Sequence, residues 1–233
     1  MTDIKFTLDG RPLTAKPGQT IVEAARDAGV YIPVLCHSEG LTPVGSCRIC
    51  TVRVNGRYQT ACTHPVGEGM AVENAAADLE DMRKALIEML FVEGNHMCPT
   101  CEKSGNCELQ ALAYRYQMLV PRFPYQFPRR EVEAAAPKLL LDHNRCIQCQ
   151  RCVRAVRAKD GRRVFALHER GSVLRIGTDV ELAAGLTDEE ARMAMDICPV
   201  GAILKKEVGF AVPIGRRKYD HAPIGSDIET PRS

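Results

Sequence analysis

The chain has 233 residues, enough for one large domain or for two to three small ones at roughly 100 to 200 residues per domain. Hydrophobic residues make up 45% and charged residues 26%, so the composition excludes wholesale disorder and fibrous architectures. The net charge of +2 excludes a protein that coats nucleic acid over its whole surface.

Cysteine content is the outlying feature of the composition. No apolar run approaches the roughly 18 residues of a spanning helix, and the first ten residues alternate like a strand rather than a secretion signal. We therefore expect a cytoplasmic protein. In a reducing compartment, eleven cysteines indicate metal binding rather than disulfides. They fall into groups of four, three and four, so one of three four-ligand sites is incomplete or uses a different ligand.

The first group lies in a segment that predicts a β-grasp ferredoxin fold. Strands are predicted at residues 4–9 and 51–54, with a turn at Asn55-Gly56 and a helix at 20–29. The candidate ligands are Cys36, Cys47, Cys50 and Cys62. Gly45 and Ser46 permit a tight turn that aims N–H groups at sulfur, which favours a [2Fe–2S] cluster. Four thiolates also suit tetrahedral Zn²⁺, so zinc stays open for this group alone.

The second group follows a predicted helix with an N-cap at Asp78 and an end at Gly94. Its apolar stripe comprises Leu79, Met82, Leu86 and Leu90. The candidate ligands that come next are His96, Cys98, Cys101 and Cys107, and a further helix is predicted at 107–119. Three cysteines beside one histidine suggest a cluster with a single imidazole ligand. Locally a histidine near a cysteine is more often a surface residue, but the missing twelfth cysteine favours His96.

The third group has the most specific spacing. Its candidate ligands are Cys146, Cys149, Cys152 and Cys198. Two residues separate each of the first three cysteines, and Pro199 follows the last, as in bacterial ferredoxins. A second ferredoxin cluster would need cysteines where this chain has Val156, Asp188, Ala191 and Ala194. The spacing therefore predicts a ferredoxin-like module with one [4Fe–4S] cluster, with zinc as the alternative.

The remaining segments are connectors and surfaces. Three prolines predict an extended strap at 121–130, and seven basic residues between 145 and 163 indicate a surface for an acidic partner or ordinary solvated helix. A capping box at Thr187 and Glu190 begins the helix before Cys198. No glycine-rich dinucleotide or phosphate motif occurs, so we expect no active site in this chain.

We predict an α+β protein of five segments. These are a β-grasp [2Fe–2S] ferredoxin-like domain at 1–78, a helical His/Cys3 [4Fe–4S] domain at 79–120, a proline-rich strap and linker at 121–137, a one-cluster [4Fe–4S] bacterial-ferredoxin-like domain at 138–209 and an extended C-terminal arm at 210–233.

The whole chain resembles the N-terminal iron–sulfur region of the large iron–sulfur subunit of respiratory complex I. It resembles even more the diaphorase small subunit (HoxU type) of NAD-reducing [NiFe] hydrogenases. The matching segments include FVEGNHMCPTCEKSGNCELQALAYRYQM, RCIQCQRC, ICPVGAIL and PIGRRKYD. One departure from complex I matters, because its histidine ligand stands at the position of Gly94 here.

The resemblance implies a non-catalytic electron-transfer subunit of an NAD-linked hydrogenase. Its implied cofactors are one [2Fe–2S] and two [4Fe–4S] clusters, with FMN, NAD and the Ni–Fe site on partner subunits only. The implied partners are a flavin-containing diaphorase large subunit and the small and large [NiFe] hydrogenase subunits, with no nucleic acid and no membrane. NAD exchanges a hydride whereas clusters move single electrons, so the flavin must divide the pair.

Two other functions stay open on the sequence. The same relay could serve an NAD-dependent formate dehydrogenase or a complex-I-like enzyme. The chain could instead be a zinc-stabilised module that binds nucleic acid through residues 145–163 and the strap.

Overall fold

The computed structural model describes residues 2–229, and its N-terminal unit is built on a five-stranded sheet. The strands are β1 (Ile4–Leu8), β2 (Arg11–Ala15), β3 (Thr51–Val54), β4 (Arg57–Thr60) and β5 (Ala71–Glu73). They are ordered β2-β1-β5-β3-β4, with β1 parallel to β5 and the other neighbours antiparallel. The predicted strands at 4–9 and 51–54 are thus confirmed within one residue.

Local sequence explains these elements. Asn55 and Gly56 both adopt positive φ, 48° and 80°, which is the conformation of a type I′ hairpin turn between β3 and β4. Helix α1 (Ile21–Asp27) starts with a capping box in which Thr20 and Glu23 satisfy each other's backbone N–H groups. Its apolar residues pack with the sheet in one core, which completes the β-grasp arrangement.

Helix α2 (Ala77–Val92) corrects one prediction. The residue before its first turn is Ala76, which provides no side-chain cap, so Asp78 is not the N-cap. The Asp78 carboxylate instead accepts hydrogen bonds from Arg53 at 2.5 Å and from Tyr58 at 2.7 Å. A sequence pattern could not anticipate this pairing, because both partners come from the sheet.

The buried face of α2 also differs from the predicted stripe. Leu79, Arg83, Ile87 and Phe91 are buried at four-residue spacing, whereas Met82, Leu86 and Leu90 are only partly buried. Helix α3 (Glu108–Arg115) ends four residues before the predicted residue 119. Soon after this end, Gln117 takes a left-handed φ of 50°, which a continuing helix cannot accommodate.

Among residues 130–229, the structure has two smaller sheets and three α-helices. The strands of this part are β6 (Val132–Glu133), β7 (Leu139–Asp142), β8 (Phe165–His168), β9 (Arg175–Thr178) and β10 (Ile203–Lys205). The helices are α4 (Arg151–Ala155), α5 (Val180–Ala184) and α6 (Asp188–Ile197). β7 pairs with β6 and β10, whereas β8 and β9 form a separate hairpin. The capping box at Thr187 and Glu190 starts α6 and confirms that prediction.

These elements confirm the predicted α+β class. Two elements depart from the predicted division into segments. α2 begins at Ala77, and β6 lies within the predicted linker. The predicted segments also extend to residue 1 and residues 230–233, which lie outside the described residues.

The arm that follows β10 lies against earlier parts of the chain. Arg217 stacks on Gly105, and Gly225 packs directly on the ring of Tyr31. Arg115 of α3 donates to the Ile224 carbonyl at 2.8 Å. Across residues 2–229, no helix is long and apolar enough to cross a membrane.

Candidate metal centres

The first cysteine group gathers where β3 begins and β4 ends. Cys36 and Cys47 come from the loop after α1, Cys50 directly precedes β3, and Cys62 follows β4. The backbone N–H of Cys36 donates to Sγ of Cys47 at 3.4 Å. Hydrogen bonds from the thiols of Cys47 and Cys62 lower the pKa of Cys36, and one from Cys62 lowers the pKa of Cys50. The structure thus brings these four side chains together.

The loop around this group has the conformation that its glycine predicts. Gly45 adopts a φ of 64°, and a Cβ there would lie 3.2 Å from a methyl carbon of Thr63. Arg48 is also left-handed, with a φ of 61°. The Cys47 sulfur is approached by two backbone N–H groups, those of Cys36 and Ile49. Amide donors directed at a sulfur stabilise additional negative charge on it.

The second group lies between α2 and α3. Cys98 starts a short 3₁₀ turn, and Cys107 is the N-cap of α3, where its sulfur accepts from the backbone N–H of Gln110 at 3.5 Å. Cys101 is buried and accepts from a guanidinium N–H of Arg145 at 3.6 Å. The three thiols interact electrostatically with one another, so the structure brings them close together.

His96 packs against the C-terminal part of α2. Its ring centroid is 5.2 Å from that of Phe91, and its imidazole faces the Leu90 carbonyl. Burial lowers the pKa of His96 to about 4, so the ring is neutral at pH 7. A Cβ on Gly94 would lie 2.5 Å from the imidazole Nε2. The ring therefore fills the space in which a side chain at position 94 would stand, while nothing in the described contacts joins it directly to a thiol.

The third group surrounds one small apolar void between α4 and β10. Cys146 precedes α4, Cys152 lies within it, and Cys198 caps the end of α6. All four cysteines line this void, together with apolar side chains such as Ile176. The structure therefore brings Cys146, Cys149, Cys152 and Cys198 around a common space.

The loop of the third group turns its backbone toward the sulfurs. Gln148 and Gln150 both adopt left-handed φ, at 53° and 60°. Backbone N–H groups of Gln148 and Arg151 donate to the sulfurs of Cys146 and Cys149, respectively. Alternating left-handed residues form a concave row of N–H donors, the arrangement found around anionic centres and iron–sulfur sites.

The positions of the second ferredoxin cluster are filled by protein. Val156, Ala191 and Ala194 are each fully buried in the main hydrophobic core, whereas Asp188 is on the surface. Small apolar side chains thus occupy the region where a second set of cysteines would point.

The third group contacts both of the other groups. The backbone N–H of Glu108, beside Cys107, donates to the Pro199 carbonyl, beside Cys198, at 2.8 Å. Arg154 of α4 donates to the carbonyls of Cys36 and Cys149, at 2.5 and 3.2 Å.

The sequence does not identify Arg145, Arg151 and Arg154 as site residues. Arg151 forms a bidentate pair with Glu108 at 2.7 and 2.8 Å. The basic run between residues 145 and 163 includes these arginines, but its sequence does not distinguish buried side chains from exposed ones.

The donor sets fit iron–sulfur groups. Burial raises the pKa of Cys107 to about 12 and that of Cys146 to about 11, so each thiol keeps its proton until a metal replaces it. Within residues 2–229, no three or more His, Cys, Asp or Glu side chains converge closely enough for a single metal ion. A cluster distributes its ligands over two or four irons, so its sulfurs need not meet at one point.

Family models match three consecutive parts of the chain. Residues 1–77 match a 2Fe-2S iron-sulfur cluster binding domain, and residues 83–122 match the NADH-ubiquinone oxidoreductase-G iron-sulfur binding region. Residues 136–204 match the ferredoxin-like domain of NADH-quinone oxidoreductase subunit 3. Each matched part contains one of the three cysteine groups. Iron–sulfur domains of both the 2Fe–2S and the 4Fe–4S types are therefore present.

Similar proteins extend over nearly the whole chain. The gamma subunit of NAD-reducing hydrogenase HoxS from Cupriavidus necator is 51% identical over 93% of this chain and 93% of its own length. A solved structure of NAD⁺-reducing [NiFe]-hydrogenase in the H₂-reduced state contains a chain with TM-score 0.87 and 44% identity, covering 94% of both chains. The mitochondrial 78 kDa subunit of NADH-ubiquinone oxidoreductase from Candida albicans is 34% identical over 90% of this chain, but over only 29% of its own length.

Proposed function

The chain belongs to the family of the gamma subunit of NAD-reducing hydrogenase, and on that premise we propose that it relays single electrons between a [NiFe] hydrogenase module and a flavin-bearing diaphorase subunit. It is a non-catalytic subunit of the HoxU type, and the substrates H₂ and NAD⁺ react on its partners. When bound, iron–sulfur clusters supply one-electron chemistry, which the side chains of a protein lack.

The proposal assigns three ligand sets to this chain. They are Cys36, Cys47, Cys50 and Cys62 for one [2Fe–2S] cluster, His96, Cys98, Cys101 and Cys107 for one [4Fe–4S] cluster, and Cys146, Cys149, Cys152 and Cys198 for a second [4Fe–4S] cluster. The filled positions of the lost ferredoxin cluster support one cluster rather than two in the third module. FMN, NAD and the Ni–Fe site are assigned to the partners.

The space at Gly94 supports His96 as the fourth ligand of the second set. In the complex I pattern the histidine stands at position 94, where this chain has glycine. The His96 ring occupies the space that a side chain from position 94 would enter. An imidazole from residue 96 thereby approaches the region that the other pattern reaches from residue 94. A neutral imidazole in place of a thiolate makes this site less negative than the other two.

One observation carries the relay function: the three cysteine groups touch through single residues or single hydrogen bonds. Arg154 bridges the Cys36 and Cys149 carbonyls, and the Glu108 amide reaches the Pro199 carbonyl. A storage or structural role would not require the ligand loops of three modules to meet. The protein's contribution is to hold the sites close, exclude water from the buried sulfurs, and direct N–H donors at them.

Replacing Cys149 with Ser tests this function. In the intact hetero-oligomer, purified without oxygen, we expect the variant to lose about four of about ten irons, and the third electron paramagnetic resonance (EPR) signal with them. Hydrogen-dependent NAD⁺ reduction should fall by more than roughly 100-fold, the upper range for disturbing the surroundings of a metal site. Reduction of a dye by NADH, which needs only the flavin subunit, should persist.

Ala155→Ser is the matched control, because it introduces a serine hydroxyl six residues away, in α4, without removing a proposed ligand. It should keep both activities and the full iron content. Loss of both activities in Cys149→Ser would contradict a relay role and indicate that the site is needed for assembly. Nickel in the purified complex supports the hydrogenase partner, whereas molybdenum or tungsten would support the formate dehydrogenase alternative.

A further inference from the structure

The basic stretch between residues 145 and 163 divides into two sets. Four of its basic side chains belong to residues exposed on the surface: Arg157, Lys159, Arg162 and Arg163. The other three, Arg145, Arg151 and Arg154, point into the protein and contact another cysteine group or a residue beside one. The stretch is therefore more than a uniformly solvated surface.

Arg154 differs from the other two inward arginines in its partners. Its guanidinium and Nε donate only to carbonyl oxygens, which belong to Cys36, Thr42, Cys149 and Gln150, at 2.5, 2.6, 3.2 and 3.1 Å. Within the described residues no carboxylate pairs with it, whereas Arg145 pairs with Glu102 and Asp142 and Arg151 with Glu108. The charge of Arg154 is thus left unneutralised by any nearby acid.

The geometry of the contacts requires a planar fork of donors. Nη1 is used by the first module, through Thr42, while Nη2 is shared between Cys36 of the first group and Cys149 of the third. Arginine presents five N–H donors in one rigid plane, whereas the lysine ammonium is a point charge on a flexible stem. Only arginine can hold acceptors from both modules in a fixed relation.

The charge of Arg154 also acts on both sites. Four thiolates give each ligand set a large negative charge, and reduction adds one more. A cation within hydrogen-bonding distance of ligand carbonyls in both sets favours the more negative, reduced state of each. Arg151 is nearby in the same helix, but its bidentate pairing with Glu108 offsets its charge.

We propose that Arg154 is a positioning residue that fixes the first and third ligand groups relative to each other and stabilises the reduced state of both. This inference rests on the proposed function, because it requires clusters at both groups. It assigns a role to a residue that lies outside the ligand sets and that joins two modules far apart in sequence.

The test uses Arg154→Gln and Arg154→Lys in the intact complex, with Arg157→Gln as the control at an exposed residue two positions past the end of the same helix. Iron and sulfide are counted first, and then each centre is titrated by EPR under reducing conditions. Magnetic interaction between the first and third centres is measured in the fully reduced state. The second centre is the internal reference.

We expect Arg154→Gln to make reduction of the first and third centres less favourable by on the order of tenfold, or about 59 mV for one electron. The second centre should shift much less, and Arg157→Gln should not shift any centre. Arg154→Lys should restore the potentials, because it keeps the charge. It should not restore the magnetic interaction, because it lacks the planar fork.

Unchanged potentials and unchanged magnetic interaction in a fully loaded Arg154→Gln complex would overturn the inference. If Arg154→Gln loses iron, the test rests on the magnetic interaction between the first and third centres in the Arg154→Lys complex. An interaction equal to that of the wild type refutes the positioning role, and an altered interaction supports it. If the wild-type complex itself lacks the first or third EPR signal, the proposed function fails. That outcome is distinct from a failure of the role of Arg154 alone.

Discussion

Gly201 is the most informative single position for the second centre. It lies three residues after Cys198, and it is buried against the loop that contains Cys101. A Cβ at Gly201 would lie 2.4 Å from the Cys101 sulfur and 3.3 Å from Cβ of Lys103. Gly201→Ala therefore adds one methyl group to the contact between the second and third modules.

The size of the effect follows from these distances. Ordinary van der Waals contact begins near 3.4 Å, so the two groups must separate by about 1 Å. The Cys101 sulfur moves more readily than the Gly201 backbone, because it is the end of a side chain. Metal–ligand distances vary by only about 0.2 Å, so a displaced sulfur cannot stay in a cluster. Overpacking of a buried contact costs about 1 to 3 kcal/mol, which a folded domain survives. We expect a folded chain that has lost the second centre.

Iron analysis and EPR of the intact complex measure this outcome. Gly201→Ala should fall from about ten irons to about six, with the first and third signals retained. Gly185→Ala is the matched control, because a Cβ there would meet only the Leu182 carbonyl, at 3.6 Å. A Gly201→Ala complex with full iron and an unchanged second signal would refute the assignment of Cys101 as a ligand held against Gly201.

Two further predictions concern the buried residues Arg83 and Tyr31. Arg83 is buried and donates to carbonyl oxygens of Asn74 and Thr51 at 2.9 Å. Arg83→Met should therefore destabilise the chain by roughly 1 to 3 kcal/mol for each carbonyl left without a donor. An unchanged free energy of unfolding in chemical denaturation would contradict this. Burial raises the pKa of Tyr31, so above about pH 10 only the unfolded tyrosine ionises and stability falls as pH rises. The Tyr31 hydroxyl has no hydrogen-bond partner within residues 2–229, so Tyr31→Phe should leave the free energy of unfolding at pH 7 nearly unchanged. Above about pH 10 the variant should lose less stability than the wild type. An equal dependence of the free energy of unfolding on pH in the two proteins would disprove this reasoning.

Short-range patterns predicted much of the fold. The Asn55-Gly56 turn and the capping box at Thr187 depend on neighbours within four residues, so they appear in the sequence as motifs. Spacing along the chain also predicted the three cysteine groups, although Cys198 lies 46 residues after Cys152. The Asp78 prediction failed because a carboxylate near a helix start has several possible partners, and here Arg53 supplies a stronger one.

The contacts between modules were beyond the reach of the sequence. Arg154 lies 118 residues from Cys36, and no periodicity links the two positions. The approach of Gly201 to Cys101 depends on how β10 and the second loop pack, which is a property of the assembled modules. Residues that act between the sites become recognisable only when all three modules are in place.

The spatial arrangement of the groups differs from their order along the chain. The third group is last in sequence, yet its helix α4 contacts Cys36 through Arg154, and its closing segment contacts Cys101 through Gly201. Removing a ligand of the third group therefore disturbs the group that touches both others. Cys149→Ser is therefore a sharper test of a relay than a change in either earlier group. It should interrupt electron transfer between the three sites while the first two sites keep their clusters.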